Sequence, residues 1–370
     1  MKITIATGIY PPEIGGPATF LRELMPVLKK KGWTVDVITF GSPREGVTAI
    51  SRDNPFRWFS FYHAIMKSAR DADVIFATDT SSAGLPAARA ARKLKKRLIV
   101  RFVGDAAWEN ARNLGWTEDP FEEFQKKKYD WKVELLRKIQ RWILRNAEII
   151  TVSNFLKSVL AKWGLKKIIV IPNAVSPMKL PARDALRKRL GFEKKFVILN
   201  VGRITKYKGV DKIIRMCAQL RKELPELLLV VVGDGPALDE AKQVATDAMV
   251  THLVQFVGRQ DETEVRKYMK AADVLVLNSE YEGMSHTLLE SMSVECPVIA
   301  SNVCGNPELV KNRGLLFDYN DMEMLKEQIM KVYRDPVLRK KLVKKAVKDL
   351  PTREFVEKKI LEVLNARTVD

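Results

Sequence analysis

No apolar run in this 370-residue chain approaches the roughly 20 residues that span a bilayer. The longest, 227–232 and 273–277 with its neighbours, are strand-sized. A leader pattern is missing as well. After Met1 and Lys2 a short run, Ile3 to Ala6, is broken by Gly8, Pro11 and Pro12. These absences point to a cytoplasmic chain. Cysteine is scarce: Cys217, Cys296 and Cys304 contain no C-x-x-C pair and cannot build a disulfide framework. Histidine is equally scarce, and His63, His252 and His286 lie too far apart in sequence to suggest a zinc cluster. No metal site and no cofactor are expected.

What is present fits a globular protein, with 46% hydrophobic and 29% charged residues. The length exceeds what one core comfortably supports, so two domains are expected. Net charge is +19 and unevenly spread. Residues 1–176 carry 30 Lys and Arg against 17 Asp and Glu, or +13; the remainder carries 34 against 28, or +6. The excess is read either as a surface for an anionic partner or as a solvated lysine-rich face. No nucleic-acid motif accompanies it, so nucleic acid is not an expected partner.

Short β-branched runs alternate with amphipathic segments, which predicts parallel sheets built from βαβ units. The first series places strands at 1–7, 34–40, 74–77, 98–103 and 148–152, with a helix over 17–31. Pro17 suits the first turn of that helix and Gly32 its end. The second series places strands at 196–201, 227–232, 254–257, 274–277 and 297–300. Each series reads as its own doubly wound sheet. The stretch from Ile171 to Pro181 is rich in proline and poor in core residues, and reads as the linker. This gives an N-terminal domain over 1–176 and a C-terminal one over 177–350. The tail, about 351–370, reads as a helix that caps the second domain or, preferably, crosses back to the first. Residues 106–130 read as a long polar insertion.

Three stretches carry chemistry. In 278–290 (NSEYEGMSHTLLE) a strand ends at Leu277 and a helix starts near Ser285. The backbone amides of that loop-to-helix step would then form an anion site. Glu282 and Glu290 flank it and suit hydroxyl hydrogen bonds rather than phosphate; two ordinary surface glutamates would look the same. In 202–209 (GRITKYKG), Arg203 and Lys208 sit at the carboxyl end of a predicted strand, where open α/β sheets bind ligands. Together they would neutralise a diphosphate. The third stretch is Gly15 and Gly16, where the backbone can come close to a ligand or simply turn.

The order of a Gly-Gly loop, GR-x4-KG, VVVGDGP, EG-x6-E and PVIAS resembles the retaining glycosyltransferases of family 4, also called group 1. That resemblance implies the GT-B fold, an α/β architecture of two doubly wound Rossmann-like domains facing across a cleft. It implies sugar transfer from a nucleotide diphosphate sugar, with retention and without a metal. Arg203 and Lys208 would hold the donor diphosphate with the amides of Met284 to Thr287, Glu282 the sugar hydroxyls and Glu290 the ribose. Gly15 and Gly16 would approach the donor phosphates. Where many members carry a histidine, this chain offers Asp105, either orienting a sugar hydroxyl or capping a helix. A glycine common before PVIAS is Glu295 here, and a glycine pair after it reads Cys304 and Gly305. The acceptor is left open, with a lipid-linked or anionic compound in view. Two rivals stand beside this reading: a nucleotide-sugar epimerase on the same fold, and a non-catalytic basic protein that binds membrane or nucleic acid.

Two further features stand outside these motifs. Asp71 and Asp73 spell a D-x-D that reads as a turn before a strand. In 126–145, Trp131, Leu135, Ile139, Trp142 and Ile143 share one helical face, flanked by Lys132, Arg137, Arg141 and Arg145. A helix packed on the sheet is the preferred reading. The alternative is peripheral contact with an anionic membrane, which would place the chain on the inner face of the membrane.

Overall fold

The computed structural model describes residues 1–13 and 15–366. The chain forms two compact units: Met1–Pro172 together with the C-terminal segment from Glu354, and Asn173–Arg353.

The first unit is built on seven parallel strands. They are β1 (Lys2–Thr7), β2 (Thr34–Phe40), β3 (Thr48–Ile50), β4 (Val74–Ala77), β5 (Arg97–Phe102), β6 (Glu148–Thr151) and β7 (Ile168–Val170). Their order is β3-β2-β1-β4-β5-β6-β7. The chain winds outward from β1 to one edge, then returns to β4 and winds to the other. The switch of direction lies between β1 and β4, in register from Ile3 opposite Val74 to Ala6 opposite Ala77. Strands of this kind are covered on both faces, which is why they read as near-continuous apolar runs. Ile3, Ile5, Ile75 and Phe76 are fully buried. Asp71 and Asp73 begin β4 as a turn. Asp71 pairs with the Lys2 ammonium at 3.0 Å, and Asp73 accepts from the Lys2 amide at 2.7 Å.

The C-terminal helix, Arg353–Asn365, belongs to this first unit. It buries Val356, Ile360, Val363 and Leu364. Arg97 holds its last turn, donating from Nη1 to the carbonyl of Leu364 (3.0 Å) and from Nη2 to that of Val363 (2.7 Å), while Nε and Nη2 fork onto Glu148. A cation on the last carbonyls of a helix also meets the negative end of its dipole.

Two expectations change here. Residues 106–130 are not a plain polar insertion: they form helices Ala106–Asn113 and Phe121–Lys126, with Trp108, Phe121 and Phe124 buried. The helix Trp131–Arg145 does pack on the unit, but through another face. Its buried positions are Val133, Arg137, Gln140, Ile143 and Leu144. Trp131 and Leu135 point outward instead, 71% and 47% exposed. Arg137 can be buried because its guanidinium donates to the carbonyls of Lys127 (2.9 Å) and Phe124, pairs with Glu134 (2.7 Å) and lies on the Phe124 ring.

The second unit has six parallel strands: β8 (Phe196–Val201), β9 (Leu227–Val232), β10 (Val254–Gly258), β11 (Val274–Leu277), β12 (Val298–Ser301) and β13 (Leu315–Phe317). Their order, β10-β9-β8-β11-β12-β13, puts the switch of direction between β8 and β11. Val274 lies opposite Ile198 and Leu275 opposite Leu199. The helix Val210–Leu220 follows β8 and buries Val210, Ile213, Ile214, Cys217 and Leu220 against this sheet. Among the described residues no helix is long and apolar enough to cross a membrane.

Candidate active site

In an open α/β sheet the connections that leave the two strands at the switch point run to opposite faces, and a crevice forms outside the carboxyl ends, between the loops that follow them. In the second unit those strands are β8 and β11. Their loops are 202–209 and 278–285, the two stretches that the sequence marks out.

The loops are locked together by backbone and buried side chains. The Glu280 amide donates to the Tyr207 carbonyl at 2.8 Å. Asn278, fully buried at the end of β11, donates from Nδ2 to the Gly209 carbonyl at 3.2 Å. Gly209 has φ 58, and a Cβ there would lie 2.5 Å from the Asn278 amide nitrogen. Only glycine accepts both the left-handed backbone and the close approach. The loop after β12 closes from the other side. The Gly305 amide donates to the Glu282 carbonyl at 2.9 Å, and a Cβ on Gly305 would meet the Gly283 carbonyl oxygen at 2.0 Å.

Within this frame the Lys208 ammonium pairs with the Glu282 carboxylate, which also accepts from the Ser279 hydroxyl at 3.0 Å. Both partners are largely buried, with side chains 21% and 14% exposed. A partly buried pair is weakly screened, so each charge is felt strongly by whatever enters beside it. Arg203 follows β8 directly and is exposed; among the described residues its guanidinium has no ion-pair or hydrogen-bond partner. A guanidinium on the same loop as a largely buried ammonium suits an anion with several oxygens.

The helix His286–Ser293 begins where expected. Ser285 is its N-cap, and its hydroxyl accepts from the Leu288 amide at 3.3 Å. The preceding turn is fixed by Asn173, which donates to the Met284 carbonyl at 3.2 Å. The first-turn amides, Thr287 included, have no earlier turn to donate to and carry the positive end of the dipole. Glu290 lies partly buried one turn further on. The second unit therefore joins Lys208 to Glu282, and it carries Arg203, Met284, Ser285, His286, Thr287 and Glu290 on the same two loops and the helix that follows.

Gly15, Gly16 and Asp105 belong to the first unit. Gly15 precedes the helix Gly16–Lys30, and a Cβ on Gly16 would meet nothing. The loop before them is anchored by Arg44, which donates to the carbonyls of Tyr10 (2.5 Å) and Pro11 (2.8 Å). Burial pushes the Glu13 carboxyl up, but hydrogen bonds from Arg52, the Tyr10 amide and Arg44 outweigh it and hold the carboxyl below its usual range.

Of the two roles open to Asp105, the structure shows the helix cap. Its Oδ1 accepts from the amides of Ala107 (3.0 Å) and Trp108 (3.2 Å) and from Gln140 (2.9 Å), and its Oδ2 from Gln125 (2.8 Å). Asp105 is 1% exposed. Both of its oxygens are engaged within the unit.

Asn173, Asn278 and Ser279 also shape the site, without a signal in the sequence. Lone polar residues that position a loop show no periodicity. The departures at 295 and 304 do have a structural account. Glu295 has φ 67 and Cys304 has φ 53, both left-handed positions that favour glycine.

Residues 182–349 match the family described as Glycosyl transferases group 1, and residues 14–179 match Glycosyltransferase Family 4. The GDP-mannose-dependent monoacylated alpha-(1-6)-phosphatidylinositol monomannoside mannosyltransferase of Corynebacterium glutamicum is 24% identical, over 91% of this chain and 90% of that protein. The alpha-monoglucosyldiacylglycerol synthase of Streptococcus pneumoniae is 27% identical, over 84% of this chain and 72% of that protein. The crystal structure of HepE from Anabaena with UDP and glucose superposes with a TM-score of 0.81 at 17% identity, covering 98% of this chain and 99% of that one. The shared architecture is the GT-B fold.

Proposed function

Because this chain belongs to glycosyltransferase family 4 and is a glycosyltransferase, we propose that it transfers a hexose-type sugar from a nucleotide diphosphate sugar with retention of configuration. The observation that carries this reading is the Lys208–Glu282 pair at the switch point of the second sheet. It sets a cation for the leaving diphosphate beside a carboxylate for the sugar hydroxyls.

In this reading the donor diphosphate binds Arg203, Lys208 and the first-turn amides of the helix that Ser285 caps. Glu282 orients the transferred sugar and Glu290 the ribose. The bond between the sugar anomeric carbon and the diphosphate oxygen breaks, and the acceptor oxygen bonds to that carbon on the same face. The acceptor's proton passes to the leaving phosphate oxygen. Charge building on the diphosphate is met by fixed cations and amide dipoles, the work a divalent metal does elsewhere. This supports a metal-independent reaction.

The acceptor is a lipid-linked or anionic hydroxyl compound, and the enzyme works peripherally at a membrane surface. The +13 excess in residues 1–176 supports this. So does a relative named for a phosphatidylinositol-linked substrate.

The test is release of nucleoside diphosphate from UDP-, GDP- and ADP-sugars with candidate acceptors. Lys208→Ala and Glu282→Ala should each lose about a hundredfold or more in turnover. Near-normal turnover in both variants rejects the roles assigned.

A further inference from the structure

The first unit contains a cavity of about 680 Å³, well within the roughly 300–1,000 Å³ typical of small-molecule sites. Helices 57–68, 84–94 and 131–145 wall it, together with the segments that follow β4 and β5. Trp58, Phe59, Tyr62, Leu85, Leu136 and Ile139 supply much of its surface. Thr80, Ser81, Ser82, Asn110 and Gln140, polar residues of the wall, all hydrogen-bond within the protein. Thr80 donates to Gln140 at 3.2 Å, and Gln140 donates to Asp105 at 2.9 Å. Ser81 and Ser82 donate to Asp79 at 3.2 and 2.9 Å, and Asn110 donates to the Ala106 carbonyl at 2.7 Å. Such a wall gains little from a polar ligand and much from shedding water off its apolar surface. It suits hydrocarbon.

Charge lies next to it. The cavity shares Leu85, Arg89 and Ile139 with an adjoining groove of about 500 Å³. All charged residues lining that groove are cations: Arg89, Lys138, Arg141 and Arg145. Three guanidiniums and an ammonium around one groove fit a phosphoryl group, onto which arginine forks.

The rim is apolar and open to solvent. Phe59 is 64% exposed at the mouth of the cavity, and Phe56 nearby is 71% exposed. On the helix 131–145, Trp131, Leu135, Lys138, Trp142 and Arg145 fall on one outward stripe at helical spacing. Exposed aromatics interleaved with cations mark a surface that lies against anionic lipid.

We infer that the cavity and groove together bind the acceptor as a phosphoryl amphiphile, its apolar chain in the cavity and its anion on the four cations, taken up directly from an anionic bilayer. This rests on the sugar-transfer reading only in calling the ligand an acceptor; the binding itself requires no donor.

The test uses the full chain without donor and dodecyl phosphate as the probe, with dodecyl maltoside and inorganic phosphate as the other arms. Binding is read from tryptophan fluorescence and the thermal midpoint. Dodecyl phosphate should bind about tenfold more tightly than dodecyl maltoside, and inorganic phosphate should leave the midpoint unmoved. Arg145→Glu and Lys138→Glu, both at exposed positions, should each weaken dodecyl phosphate about fivefold or more and leave dodecyl maltoside unchanged. Ile139→Trp, which fills the cavity, should weaken both amphiphiles. In every variant, stabilisation by nucleoside diphosphate reports that the donor unit is folded. Equal binding of the two amphiphiles, indifference to Arg145→Glu, or tight binding of inorganic phosphate alone would overturn the inference. Each of those results leaves the donor-site assignment standing, because nucleoside diphosphate binding is read separately.

Discussion

Lys208 and Glu282, 74 residues apart in the chain, form one largely buried ion pair at the carboxyl ends of β8 and β11. Neither strand end alone defines a site. The parallel register of the two strands and the Asn278 bond to Gly209 hold the loops so that cation and carboxylate meet.

The two partners should separate by function. Glu282→Gln keeps the size and removes the charge, so Lys208 is released to a diphosphate and nucleoside diphosphate binding should hold or tighten while turnover falls. Lys208→Ala removes the cation and should weaken nucleoside diphosphate binding about tenfold or more. Titration calorimetry with the nucleoside diphosphate, beside turnover, reads both. Equal loss of binding in the two variants would show that the pair acts only as a structural tie.

The end of the helix His286–Ser293 gives a prediction of opposite sign. The Glu295 amide donates to the Met292 carbonyl at 3.1 Å, and the Cys296 amide to the Ser291 carbonyl at 3.0 Å. This is the Schellman pattern, whose residue just past the cap is usually glycine. Glu295 holds that place at φ 67. Glu295→Gly should therefore raise stability by about 1 kcal/mol, the left-handed penalty less the extra chain entropy glycine loses on folding. Denaturant midpoints at fixed pH check this, and a lower midpoint counts against it.

The parts of the fold that the sequence reveals share one physical cause. Strands 196–201, 227–232 and 274–277 are buried on both faces, so they read as near-continuous apolar runs. Strands 48–50, 168–170 and 315–317 are three residues long and are set by pairing at the sheet edges, which leaves no pattern to read. The helix 131–145 misleads for a different reason. Arg137 and Gln140 count as exposed by hydropathy, yet carbonyls of the 121–127 stretch and the Asp105 carboxylate satisfy them inside. The Lys208–Glu282 site is legible only through topology, because strand-end loops at a switch point converge whatever their separation in sequence. Asn173 and Asn278 give no advance sign, since a single amide has no period.

Asp105 carries a stability prediction. Asp105→Ala removes the cap of the helix 106–113 and leaves the side-chain donors of Gln125 and Gln140 without their acceptor. A lost cap costs about 1 kcal/mol and buried unsatisfied donors about 1–3 kcal/mol more. The denaturation midpoint should drop accordingly, while the Michaelis constant for the donor stays within about twofold of the parent. A large loss of turnover in fully folded protein at unchanged stability would show that Asp105 acts in catalysis as well as in the cap.

Cysteine reactivity closes the set. Burial raises the thiols of Cys217 and Cys296 from the ordinary 9.0 to about 12. The thiolate is the reactive form, so neither should react in the folded chain at pH 8. Cys304 is partly exposed. Dithionitrobenzoate should therefore titrate at most one thiol in native protein and all three after unfolding. The same shift sets a sign for alkaline stability. Below about pH 9 both states hold these protons and the stabilisation is whole; between about 9 and 12 only the unfolded chain gives them up, so folding weakens as pH rises. The denaturant midpoint should stay flat with respect to these thiols up to about pH 8.5 and fall above 9, with a shallower fall in Cys217→Ala. Rapid titration of a second thiol in native protein at pH 8 would mean that the core around Cys217 or Cys296 opens easily.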